Sequence, residues 1–118
     1  MNPWTYVQYA RSIANDVAYG VSSLGFNIDQ AIGYALDLLE LRIDTYPIEN
    51  VFALTAAATF AIHNGRTFLN EEDDYFRNEL IASYSSGLIE AGVAALDAHE
   101  RPLFLADVLA VRSVLGLP

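Results

Sequence analysis

Apolar residues along this chain recur at steps of three and four, the spacing that lines one side of a helix. Val7, Ala10, Ile13, Ala14, Val17, Val21 and Leu24 carry this rhythm through the first segment. The alternation of a half-buried strand is absent. Turn and cap residues then divide the sequence into five helices. The first covers about 3–24, with Pro3 in its opening turn and Gly25 as its stop. The second covers about 28–44, where Asn27 caps and Gln30, three residues on, returns the bond. Pro47 opens a third over 47–63, closed by Asn64-Gly65. Asn70 caps a fourth over 71–98, whose first turn, Glu71-Glu72-Asp73-Asp74, suits the positive end of the helix dipole. That segment either continues unbroken or bends at Ser85-Ser86-Gly87. The fifth covers 102–116, from Pro102 to Gly116. Short connectors suit antiparallel neighbours, so the expected fold is all-α: a compact single-domain bundle of about five helices over 1–118.

The faces of these helices differ. The third is apolar or small almost all round, which marks a central helix. Its stripe of Ala53, Ala57 and Ala61 is matched by Ala91, Ala95 and Ala98 on the fourth. Small residues let helix axes approach, so these two should pack closely, with Phe52, Leu54 and Phe60 filling the flanks. The second helix buries a wide arc that includes Ala31, Ile32, Ala35, Leu36, Leu38, Leu39, Leu41 and Ile43. Only Asp107, Arg112 and Ser113 interrupt the apolar surface of the fifth. A domain of this size buries roughly two-thirds of its unfolded surface. Either the chain packs very tightly or a second subunit covers the surplus, which makes a homodimer the open alternative.

Composition narrows the function classes. Hydrophobic residues are 53% of the 118, and only 18% are charged, so the chain has the apolar surface that disorder lacks. Fifteen Asp and Glu stand against six Arg and no Lys, for a formal charge of −9. Phosphate neutralisation needs basic residues, so direct nucleic-acid binding is excluded. Without cysteine there is no disulfide, thiolate metal site or thiol nucleophile. Met1-Asn2-Pro3-Trp4 lacks a signal-peptide start. The uncharged stretch Asn50 to Asn64 is too short to span a bilayer. A cytoplasmic protein without membrane contact is expected.

The acidic residues fall into two stripes. Asp29, Asp37, Glu40 and Asp44 share a narrow arc of the second helix. Glu72, Glu79, Glu90 and Asp97 stand seven, eleven and seven residues apart on the fourth, close to whole turns if that helix is continuous. A stripe of this kind is a solvated face unless a basic partner meets it. Tyr19 and Tyr75 project from polar or flanking positions and suit binding anchors, whereas Tyr6 and Tyr84 fall on core arcs. Arg42 lies within an apolar arc, with Asp107 as a candidate mate.

Catalytic patterns are missing. His63 and His99 do not follow a Glu by three residues, as helical di-metal sites require, and Asn70 to Asp74 lacks the glycine of a calcium loop. Ser83-Tyr84-Ser85-Ser86-Gly87 is not a nucleophile elbow. No metal, cofactor or catalytic residue is assigned. The expectation is a small acidic non-enzymatic protein that blocks a basic, nucleic-acid-binding type of surface on a larger complex. Phage inhibitors such as anti-CRISPR proteins and DNA mimics illustrate that class by size and charge. A self-assembling helical adaptor is the alternative, and an enzyme with an unrecognised site is the third.

Overall fold

Thr5 and Gln8 form a reciprocal capping box, in which the Gln8 amide donates to Thr5 Oγ1 at 3.3 Å and the Thr5 amide donates to Gln8 Oε1 at 2.7 Å. In the computed structural model, which describes residues 5–43, 47–65 and 74–116, this box starts α1, Tyr6–Ser23. The start therefore falls later than Pro3, which lies outside the described residues. Asn27 and Gln30 make the expected box for α2, Ile28–Ile43, with bonds of 2.8 and 3.1 Å. Pro47 and His63 bound α3 as the sequence suggests.

The segment expected over 71–98 is two helices, α4 (Asp74–Ser85) and α5 (Leu88–Ala95). Three local features break it. Ser85 Oγ donates back to the Ile81 carbonyl and Ser86 Oγ to the Ser83 carbonyl, competing with the helical ladder. Gly87 then takes a left-handed φ of 80°, which an L side chain resists. Beyond Ala95 the chain is extended at Leu96, so 96–98 are not helical. The last helix, α6 (Glu100–Leu115), begins two residues before Pro102 and ends at left-handed Gly116. The described residues thus contain six helices and no strand.

All five other helices touch α3. Its residues from Val51 to Ala58 are buried without a break, which is what an apolar circumference demands. The Ala53, Ala57 and Ala61 stripe is buried as expected, but Ala95 and Ala98 are exposed. Close approach to α5 comes instead from Gly92, where a Cβ would lie 2.9 Å from Phe52 Cε1. Phe52 has no room to yield. Its ring meets Phe104 edge-on at 5.1 Å, and Tyr6 and Tyr9 lie 6.1 and 6.2 Å away.

Tyr6 lies on the core face of α1 as expected, but the apolar arc read from the sequence is rotated. The buried face is Tyr6, Tyr9, Ile13, Val17 and Gly20, turned away from Val21 and Leu24, which are exposed. Rings of this size bury more apolar area than Val or Leu and decide the rotation. Gly20 admits Ala31 of α2 within 3.1 Å of where its Cβ would be. Gly25, at φ 72°, turns the chain so that the Phe26 amide reaches the Gly20 carbonyl at 3.0 Å.

The two helical glycines Gly92 and Gly33 predict opposite outcomes. Gly92→Ala forces a clash in the closed core and should destabilise by about 1–3 kcal/mol. Gly33→Ala meets open space and should stabilise by about 0.5–1 kcal/mol through helix propensity. Thermal melts of both variants check the pair.

Candidate functional site

The α4–α5 break disperses one acidic stripe. Glu72 and the side chain of Tyr75 lie outside the described residues. Glu79 is half-buried on α4, and Glu90 is exposed in the first turn of α5. Asp97 lies beyond the end of α5, where its Oδ1 accepts the His99 and Glu100 amides at 2.9 and 3.0 Å. It is a helix cap for α6. His99 accordingly stands at the start of a helix rather than at a C-terminus.

The charged side chains of α6 each make a contact within the chain, although Arg101 is exposed. Glu100 Oε1 accepts the Val7 amide at 2.8 Å, satisfying a free donor at the positive end of α1. Arg101 Nε donates to the carbonyls of Val93 and Leu96 at 3.0 and 2.9 Å, closing the C-terminus of α5. Asp107 Oδ2 accepts the Tyr6 hydroxyl at 2.5 Å. The Arg42 side chain, expected as its mate, lies outside the described residues. Arg112 stands 5.9 Å from the centre of the Tyr84 ring, whose hydroxyl shares a 2.8 Å bond with buried Thr55.

Burial pushes three phenols upward in pKa. For Tyr6 the rise is large; desolvation leads, and Asp107 adds to it by hydrogen bond and by charge. Thr59 opposes the rise from close by, although its buried Oγ1 makes no hydrogen bond of ordinary geometry. Tyr84 is raised to about 12 by burial, against the Thr55 bond and the Arg112 charge. Tyr9 is also raised to about 12, by burial and then by the Glu49 carboxylate. Glu49 itself sits buried in the first turn of α3, where the helix dipole favours a negative charge.

Of the other acidic stripe, only the α2 residues Asp29 and Asp37 have described side chains. Asp29 and Asp37 are exposed, while the side chains of Glu40 and Asp44 lie outside the described residues. Tyr19 is 52% exposed on the neighbouring α1, and its ring lies 6.4 Å from that of half-buried Tyr34. Tyr34 also meets Phe26 edge-on at 5.8 Å. The contacts Gly20–Ala31 and Tyr19–Tyr34 show that α1 and α2 run antiparallel. Asp16 is one turn before Tyr19, and Asp37 is one turn after Tyr34. Both carboxylates are therefore displaced from the tyrosine pair toward the same end of the hairpin. Asp16 Oδ2 is buried and has no hydrogen-bond partner. Tyr34 and Asp16 were not singled out by sequence pattern; the i, i+3 relation of each to Tyr19 or Asp37 was the available signal.

Such a surface can hold a cation. Aromatic faces attract a guanidinium or ammonium, and the exposed Asp37 carboxylate one turn from Tyr34 gives it a charge-assisted acceptor. Among the described residues no group of three His, Asp or Glu is placed to hold a metal ion. No helix among them is long and apolar enough to cross a membrane. Comparison with protein families, curated proteins and solved structures finds no match to the chain.

Asp97→Ala should cost about 1 kcal/mol in a denaturant melt, whereas exposed Glu90→Ala should stay within about 0.5 kcal/mol of wild type. A raised phenol pKa leaves folding unaffected below the ordinary value of about 10 and subtracts stability above it. The protein should therefore lose stability as pH rises from about 10 through about 12, with the late phenolate absorbance of the buried tyrosines appearing as it unfolds.

Proposed function

We propose that this is a non-enzymatic acidic protein that docks onto a basic protein surface and blocks it. The observation that carries the reading is the outer face of the α1–α2 hairpin, with Tyr19 against Tyr34 and Asp16 and Asp37 at one end. An arginine of the partner would lie over the tyrosine rings and pair with the exposed Asp37 carboxylate one turn from Tyr34. Asp29 and Asp37 would steer the approach, helped by a chain charge of −9.

The test uses an arginine-rich peptide titrated into the labelled protein and followed by amide NMR. Shifts should concentrate on residues 12–19 and 30–37 and diminish as salt rises. Tyr19→Ala with Asp37→Asn should weaken binding by about tenfold, in line with the loss of one aromatic anchor and one charge. Asp16→Ala removes a buried oxygen that has no hydrogen-bond partner and should leave the free protein as stable as wild type or more so. Shifts scattered over other faces, or unchanged affinity in the Tyr19→Ala, Asp37→Asn variant, would remove the hairpin as the docking site.

A further inference from the structure

The turn that closes α3 holds a reactive pair. Asn64 is the only asparagine of the chain that precedes a glycine. The others precede Pro, Asp, Ile, Val or Glu, whose side chains crowd the next backbone nitrogen or, in proline, remove its proton. Asn64 and Gly65 are both exposed. Nothing lies within 4 Å of where a Gly65 Cβ would be, so the glycine side of their peptide bond is unscreened.

We propose that Asn64 is a site of spontaneous covalent modification, deamidation through a five-membered succinimide ring. The Gly65 backbone nitrogen attacks Asn64 Cγ and gives up its proton. The new N–C bond forms as the Cγ–Nδ2 bond breaks, and the side-chain nitrogen leaves as ammonia. Water then opens the ring at one of its two carbonyls. Cleavage at Cγ leaves aspartate, whereas cleavage at the backbone carbonyl leaves isoaspartate, with the chain routed through the former side chain. Water is the only co-reactant, and no electrons are exchanged.

Local bonds set the rate. Asn64 Nδ2 donates to the Phe60 carbonyl at 2.8 Å, and the Gly65 amide donates to the Ile62 carbonyl at 3.0 Å. Leaving group and nucleophile are thus both tied to the end of α3, and ring closure waits for that turn to open. A helix end opens at far lower cost than the whole fold. The products then resist closing. Either carboxylate lacks the donor to the Phe60 carbonyl and adds negative charge at the negative end of the α3 dipole. Isoaspartate also lengthens the backbone by one carbon, which displaces the Gly65 amide from Ile62. A transient opening becomes a permanent loosening at one end of the central helix. This chemistry is independent of the hairpin surface.

The full chain, incubated folded in mildly alkaline buffer and in parallel unfolded in urea, tests this by ion exchange and peptide mass spectrometry. The folded chain should gain one negative charge and one mass unit at Asn64 alone, as a mixture of aspartate and isoaspartate. Its rate should lie within about a hundredfold of the unfolded rate, as local fraying requires. Asn64→Gln should yield no acidic form on the same timescale, because its side chain would have to close a slower six-membered ring. Asn64→Asp should melt about 4 °C below wild type. A folded chain that converts only as fast as it unfolds globally would overturn the inference. So would equal conversion at several asparagines, or an Asn64→Asp variant that melts with wild type.

Discussion

A helix with no polar side must be enclosed, and α3 imposes that requirement on the rest of the molecule. Val51 through Ala58 offer no face to water, so neighbours are needed in every direction. Five helices meet that need, and the positions they take follow from it. Phe52 sets the tightest limit. With aromatic rings around it, the only backbone that can pass close by is one without a Cβ, at Gly92. The small size of the chain leaves nothing over for a second layer. The helices around α3 therefore expose whatever α3 does not need, and α6 exposes leucine.

Charge is used sparingly and mostly at helix ends. Asp97, Glu100 and Arg101 are consecutive or nearly so, and each satisfies backbone groups at a different terminus: α6, α1 and α5. One short stretch thus ties three helices together without an ion pair. Side chains committed in this way are not available to a partner. Among the described residues, the α1–α2 hairpin exposes Asp29 and Asp37, and Glu90 is exposed on α5.

Much of the architecture could be read from the residues, and its errors have physical causes. The Asn27–Gln30 box and the Pro47–His63 limits depend on local chemistry and came out as expected. The all-round apolarity of α3 gave its central place. Tyr6 lies on the core face as its position suggests, but the rotation of α1 is set also by Tyr9, whose buried ring turns the helix away from Val21 and Leu24. The α4–α5 break hung on whether two serine back-bonds and one glycine outweigh helical continuity, a balance that spacing alone does not show. Of the nominated site residues, Tyr19 and Asp37 share a face while Asp97 serves a cap. Asp16 went unnoticed because an unsatisfied oxygen exists only in three dimensions.

The eight-residue length of α5 has a consequence for motion. A helix of two turns does not hold by itself in water. Its start is loosened by left-handed Gly87, and its finish is held by Arg101, which belongs to α6. When α6 lifts from the core, α5 loses its terminal bonds in the same event. The two helices should open as one cooperative unit, and the amides of α5 should exchange with solvent at the pace of α6 rather than at their own.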